Sequence, residues 1–525
     1  MIVLRFSKYS VLENGGVIMG RDFSEMLSSF QQYVQKMKDI SDATAVLYWD
    51  ARTGLPRKGV ERRSAVIGTL SGETFKMSIS EEMKDFIAYF TDPVHNEKLD
   101  DTTRAVVAEC KKEFDRSYQI PADKFQEYVV LTAKAESVWE EAKHTSNFAL
   151  FQPYLEKIVQ MNLEFIDIWG YEGNKYNTLL EYYEPGMTVE KLDDIFGNLR
   201  NELVTLLKRV KQSPHKPDSS FFEKFYEPAQ QRKFSVFMLK KMGYDFEAGR
   251  LDETVHPFEI SFGPGDVRVT TKFLPNDFRS ALFSSLHEGG HALYEQNIDE
   301  KLIGTILCSG TSMGIHESQS RFWENIVGRS QAFWNHFYKD AVEHFQEQLS
   351  GVSLEEFYRG INEARESLIR IESDELTYNL HIMIRYEIEK GLINGEIKVA
   401  DLPSVWEQKM RDYLGVVPEN DAEGCLQDVH WSGGSFGYFP SYSLGNIYSA
   451  QFLHAMKKEL PNFEQLLAEG NLIPIKEWLI EKIYKFGKLH TPSEILKRVT
   501  GEEINSNYLV QYLTDKFSEV YRLEN

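Results

Sequence analysis

The chain has 525 residues, 59 basic against 80 acidic side chains, a formal charge of −21 at neutral pH and 42% hydrophobic residues. The composition is globular, and an acidic chain without a Lys/Arg stripe argues against nucleic acid as a partner, since phosphate binding rests on neutralisation by cations. No run approaches the roughly 18 apolar residues of a membrane span, and Cys110, Cys308 and Cys425 form no CxxC pair, which points to a reducing cytoplasm.

Residues 1–20, which carry a second methionine at Met19, are expected to be an N-terminal extension, a candidate for disorder. From there Phe23, Met26, Leu27, Phe30, Val34 and Met37 recur in steps of three and four, one face of an amphipathic helix. Leu192, Ile195, Leu199, Leu203, Leu206 and Val210 repeat the period. Segment 21–210 therefore reads as an N-terminal helical part. The stretch "KQSPHKPDSS", 211–220, has two prolines and no period, and reads as a loop before a catalytic part, 221–525; the two parts are expected to form one two-lobed unit.

The departure from helix is "HPFEISFGPGDVRVTTKF", 256–273, where alternating residues flank a turn and predict a hairpin. Capping boxes at Ser353/Glu356 and Thr491/Glu494, the latter with Pro492, mark two later helix starts.

Directly after the hairpin comes "SSLHEGGHALYEQ". His287, Glu288 and His291 spell HExxH, and two histidines four apart on a helix differ by roughly 40° and 6 Å, so both imidazoles can meet one ion. Glu288, about 100° away, can face a water on that ion as a general base. The Gly and His that a metzincin needs are replaced by Tyr294 and Asn297, so the third ligand is sought on another helix. Glu317 in "GIHESQSRFWENIVG" is favoured; Glu295 and Glu324 compete, Glu295 fitting better as an outer partner. Gly289 and Gly290 each cost a helix interior about 1 kcal/mol, and the expected offset is close approach by the hairpin strand.

Arg370, Asp374 and Glu375 lie in a helical pattern whose ordinary reading is a solvated face with ion pairs. The segment 424–445, "GCLQDVHWSGGSFGYFPSYSLG", holds Gln427, Asp428, His430, Tyr438 and Tyr442 without clean periodicity and reads as a functional loop.

Together these motifs resemble the carboxypeptidase Taq (thermostable carboxypeptidase 1) family. The matching segments, in the family's order, are "YWDARTGLP" at 48, "HPF" at 256, "DVRVT" at 266, "HEGGH" at 287, "HESQSR" at 316, "IRIESDE" at 369 and the 424–445 segment. Ser373 departs from the alanine usual before Asp374. The resemblance implies a mainly α, large helical metallopeptidase with a deep central cleft, similar to neurolysin and angiotensin-converting enzyme, with the small β hairpin beside the active-site helix. It implies a homodimer, one divalent metal per chain (zinc, with cobalt as the alternative), and release of single C-terminal residues with broad preference. Carried over by motif, His287, His291 and Glu317 look like metal ligands and Glu288 like the base that assists attack by metal-bound water. His256, Arg268, Arg370, His430, Tyr438 and Tyr442 look like the substrate-binding and oxyanion group, with Arg370 first and Arg268 second as the clamp for the substrate carboxylate. The partners expected are peptides with a free C-terminus. The rival readings are a metal endopeptidase or dipeptidase, which would also cut C-terminally blocked peptides, and a closed structural metal site, in which Glu288 would have no task.

Overall fold

The computed structural model describes residues 22–524, so the expected extension at 1–20 lies outside the described residues. Asp22 caps the first helix, α1 (Phe23–Thr53), by accepting from Ser24 N–H, and the predicted stripe buries Met26, Phe30, Val34 and Met37. The remainder of α1 buries nothing fully and is paired with α2 (Val60–Ser78), a helix with no buried residue. An Arg63–Asp50 ion pair and a Phe75–Phe125 ring stack at 4.7 Å tie down this hairpin. Phe125 belongs to α3 (Ala122–His144), which lies along α4 (Phe148–Trp169).

Thr188 caps α5 (Val189–Gln212), whose six predicted stripe residues are all buried. Residues 213–219 carry no helix or strand, as the prolines predict. After α6 (Pro228–Met242) come β1 (Leu251–Glu253), β2 (Glu259–Ser261) and β3 (Val267–Thr271), in sheet order β1-β3-β2. The predicted hairpin is β2–β3, antiparallel, turning at Gly263 with φ +106°; the parallel strand β1 had no signal in the sequence. One face of the sheet packs on α7 (Phe278–Gln296), the HExxH helix, capped by Asp277.

Ser312 caps α8 (Met313–Arg321), which passes into a π turn, Phe322–Val327. Asp374 accepts from Leu376 and Thr377 N–H to start α9 (Glu375–Asn394), and α10 (Pro440–Glu459) follows the aromatic segment. The last long helix, α11 (Asn507–Tyr521), packs with α5 and α10, and α5 also packs on α9. Both capping boxes form as predicted. The protein is thus mainly helical with a small sheet beside the HExxH helix. Among the described residues no helix is long and apolar enough to cross a membrane.

Candidate metal centre and cleft

Three helices meet at backbone distance where α7, α8 and α10 cross. A Cβ on Gly290 of α7 would lie 2.6 Å from Gln319 O and 2.7 Å from Ser320 Cα on α8, and one on Gly445 of α10 would lie 2.6 Å from Glu317 Cγ. The neighbours of Gly289 are Leu239 and Met242 of α6, at 2.6 and 3.2 Å. The expected strand is therefore not what the two glycines admit. The sheet lies on another face of α7, and the close approach is made by helices, chiefly the one that carries Glu317.

That approach brings His287, His291 and Glu317 together, one ligand atom from each within 4.8 Å of the others. Glu317 Oε2 is 3.6 Å from Nε2 of His287 and 3.5 Å from Nε2 of His291. Donors bound at about 2.0–2.2 Å to one tetrahedral ion sit about 3.4 Å apart, so two imidazoles and a carboxylate in this arrangement fit a divalent cation.

The outer nitrogens of the two histidines are held differently. His287 Nδ1–H donates to Glu324 Oε2 at 2.9 Å. The π turn carries Glu324 to the back of His287, so this carboxylate faces away from the ligand atoms. His291 Nδ1–H donates to His316 Nδ1, and His316 Nε2–H donates to Glu295 Oε1 at 3.0 Å; the buried Glu295 also accepts from Gly310 N–H. Each bond fixes a tautomer that leaves Nε2 free to accept a metal. Arg321, which motif spacing did not single out, joins the two halves: its Nε donates to Glu317 Oε1 at 2.7 Å and its NH1 to Glu324 Oε2 at 3.2 Å. Its position one turn after Glu317 on the same helix face was the available signal.

Burial opposes ionisation of Glu317, yet Arg321, His287 and His291 hold its carboxyl below the ordinary range. Burial alone would depress His287, but Glu317 and Glu324 raise it. Burial and the neighbouring His316 push His291 down to about 3. Glu288 is also buried, and burial with Glu317 and Glu324 nearby pushes it up to about 7, against the pull of His287.

The aromatic segment delivers Tyr438 and Tyr442 beside Glu317. Tyr442 lies in the first turn of α10 rather than in a loop, its ring 5.2 Å from that of Tyr438, and its hydroxyl is 3.4 Å from His430 Nε2. Burial pushes His430 down to about 4, so its imidazole is neutral at pH 7. Glu389 anchors the segment, accepting from Tyr176 Oη, Trp431 Nε1 and Gly437 N–H at 2.5, 2.7 and 2.9 Å.

Arg370 is not on a solvated helix face. It sits in a short turn, Arg370–Glu372, buried, with Nε and NH2 donating to Asp428 Oδ1 and NH1 to Tyr378 Oη at 3.1 Å. Arg385, wholly buried, donates to the other Asp428 oxygen at 2.6 Å. Asp374 and Glu375 are likewise structural, the first as the α9 cap and the second paired with Lys516 at 2.6 Å. Arg268 makes a two-point bond to Asp266 and lies over the Trp49 ring at 4.3 Å. His256 is exposed between β1 and β2. Arg370 thus belongs to a buried polar cluster with Asp428, which the sequence placed in the functional segment, and with Arg385 and Tyr378, which only the folded chain reveals.

With this geometry in place, comparison with known proteins is decisive. A family model described as carboxypeptidase Taq (M32) metallopeptidase matches residues 29–517. The chain belongs to that family. It is a metallocarboxypeptidase, a peptide hydrolase that depends on a divalent metal. It is 49% identical to carboxypeptidase 1 of Bacillus subtilis (strain 168) over 94% of this chain and 98% of that protein. Thermostable carboxypeptidase 1 of Thermus thermophilus is 39% identical over 91% and 95% respectively. A crystal structure of the M32 carboxypeptidase from Deinococcus radiodurans R1 superposes with a TM-score of 0.92 at 35% identity, covering 95% of this chain and all of that one (100%).

Proposed function

We propose that this M32 enzyme removes single C-terminal residues from peptides with broad preference, using His287, His291 and Glu317 as metal ligands and Glu288 as general base. His287, His291 and Glu317 would hold a divalent ion, zinc by the donor set and cobalt as the alternative, which would supply Lewis acidity to the attacking water and the scissile carbonyl. Glu288 takes a proton from the attacking water and returns it to the leaving amine. The observation that carries this role is a carboxyl buried beside the three-residue set and pushed up to about 7, where it can both accept and return a proton near neutral pH. Tyr442 donates to the developing oxyanion, with the neutral His430 against its hydroxyl orienting it and Tyr438 packed alongside.

Arg370 is the better carboxylate clamp. Each arginine gives Nε and NH2 to one aspartate, but the Arg370 guanidinium lies 5.1 Å from the ring of Tyr442, beside the proposed oxyanion donor, whereas Arg268 lies over Trp49. His256 and Arg268 line the approach from the sheet side. Residues 21–210 and 221–525 act as one two-lobed unit, a reading supported by Trp139 and Lys143 of α3, which donate to the backbone carbonyls of Leu426 and Gln427. Cytoplasmic placement is supported by three free, buried cysteines, and the homodimer by family resemblance alone.

The test is a metal-loaded enzyme given one peptide as the free acid and as its C-terminal amide, with products followed by mass. Stepwise loss of single residues from the acid alone is expected. Internal cleavage of both peptides would replace this reading with an endopeptidase, and Glu288→Gln with full metal content and full turnover would remove the base.

A further inference from the structure

One carboxyl on the sheet face turned toward α7 has no partner. In the β2–β3 register Glu259 stands opposite Val269, which is fully buried, and two residues along β3 the Thr271 hydroxyl meets Ser284 of α7 at 2.5 Å. Side chains alternate across a strand, so Glu259 shares the face turned toward α7. Ile260, opposite Arg268, points the other way, where Arg268 rests on Trp49. The charged groups that act on Glu259 are Glu295 and Glu288, seven residues apart and so on one face of α7. No cation is among them. Its Oε1 is completely covered and, among the described residues, receives no hydrogen bond, while the residue as a whole is only half-buried and so keeps an open side. Burial, with Glu295 and Glu288 beside it, pushes its pKa well up.

A covered, unbonded carboxyl oxygen is rare because it forfeits hydration without compensation, and it calls for a partner that arrives from outside. A second metal ion does not fit. Glu295 already accepts from His316 and Gly310, and the His287–His291–Glu317 set is the one group of potential ligands close enough to share an ion among the described residues. An organic cation needs only one carboxylate and suits the acidic surroundings.

We propose that Glu259 receives a cationic group of the bound peptide, a lysine or arginine side chain within one residue of the scissile bond or the α-ammonium of a very short peptide, and so sets a preference for basic substrates. The site rests on the reading of Glu288 as the base, because it is the position beside Glu288 that puts Glu259 within reach of the residues flanking the cleaved bond.

The test uses the metal-loaded holoenzyme, Glu259→Gln and Glu259→Ala, with N-acetylated peptides that carry lysine or norleucine at the last or the penultimate position, and an unblocked dipeptide. Norleucine keeps the aliphatic stem without the charge. The lysine-to-norleucine ratio of kcat/KM at one of the two positions is expected to fall about tenfold or more in both variants, mostly through KM. A loss confined to the unblocked dipeptide would assign the cation to the peptide terminus. Ratios unchanged in both variants, or lysine and norleucine peptides falling together, would overturn the proposal. Calorimetric binding of the same peptides to Glu288→Gln, with and without Glu259→Gln, reads the ratio without turnover. Absence of cleavage together with a lysine-to-norleucine binding ratio that falls on Glu259→Gln would count against the proposed reaction alone, whereas a ratio that Glu259→Gln leaves unchanged would overturn the role of Glu259.

Discussion

Two pairs of helical glycines in this molecule do opposite things. Gly290 of α7 and Gly445 of α10 sit where a side chain would strike α8, whereas Gly68 and Gly72 of α2 have nothing within 4 Å of where a Cβ would be. The intrinsic cost is the same for all four, about 1 kcal/mol each relative to alanine. At the crossing of α7, α8 and α10 that cost is offset by letting two backbones and Glu317 come close enough for ligands from different helices to converge. In the α1–α2 hairpin nothing offsets it, and α2 buries no residue at all. The candidate metal centre is built by backbone proximity, and the hairpin is held by its edges.

The largest expected effect tests the first half of that contrast. Gly290→Ala places a methyl 2.6 Å from a carbonyl oxygen and 2.7 Å from a Cα, and neither is a flexible side-chain end. Loss of about 3 kcal/mol or more is expected, or failure to fold, with metal content lost alongside. Gly445→Ala should displace Glu317 and lower metal content even where the fold survives. Chemical denaturation and metal analysis of the purified variants decide it; native stability with a full metal complement in Gly290→Ala would break the comparison.

Next in size are the groups behind the ligands. Glu324→Gln loosens His287 and His316→Phe loosens His291, each without removing one of the proposed ligands. Metal affinity is expected to fall about 10- to 100-fold, measured by competition with a chelator. An unchanged affinity in both would mean that helix packing alone orients the imidazoles.

How much of this was legible beforehand follows from the range of each signal. The convergence of His287 and His291 was readable because spacing along one helix dictates geometry, while Glu317 was a choice among three glutamates that only the packing of α8 on α7 brings to the pair; the alternation at 256–273 located the hairpin that packs on α7. The partner of Gly290 was not readable: a glycine announces that something comes close without saying what, and α8 fits the gap as well as a strand would. From its local pattern Arg370 read as ordinary helix surface, and only the family resemblance singled it out, because its partners, Asp428 and Tyr378, are defined only after α9 and the aromatic segment fold together. Likewise, nothing in the period of α2 distinguishes a helix on a core from one lying on a single neighbour.

Glu184 sharpens the contrast from the α8 side. This buried carboxyl accepts from Gly314 N–H at 3.0 Å and Tyr448 Oη at 2.8 Å, so it ties the start of α8 to α10, and burial pushes its pKa up to about 7. A carboxyl raised in the folded state binds its proton more tightly there than in the unfolded chain, so its contribution to stability is present at low pH and declines as pH rises from the ordinary glutamate range through about 7. Glu184→Gln does not titrate. Its melting temperature relative to the parent is expected to improve between pH 5 and pH 8, by the equivalent of about 2–3 kcal/mol, on top of a pH-independent offset from the altered acceptor. A pH-independent difference would show that the carboxyl is ionised throughout.

The smallest effect tests the second half. Gly68→Ala and Gly72→Ala fill open space on α2, so each should stabilise that helix by about 0.5–1 kcal/mol through the unfolded chain's lost freedom. Global melting is the wrong readout, because a helix with no buried residue opens without the core. Amide hydrogen exchange across 60–78 is the right one, with protection rising about two- to fivefold per substitution while the amides of α7 and α8 stay as they were. If protection of α7 rose in step, the hairpin would be part of the same cooperative unit as the metal centre. Packing at its edges, chiefly the Phe75–Phe125 stack and the Arg63–Asp50 pair, would then couple it to the core despite the absence of buried residues.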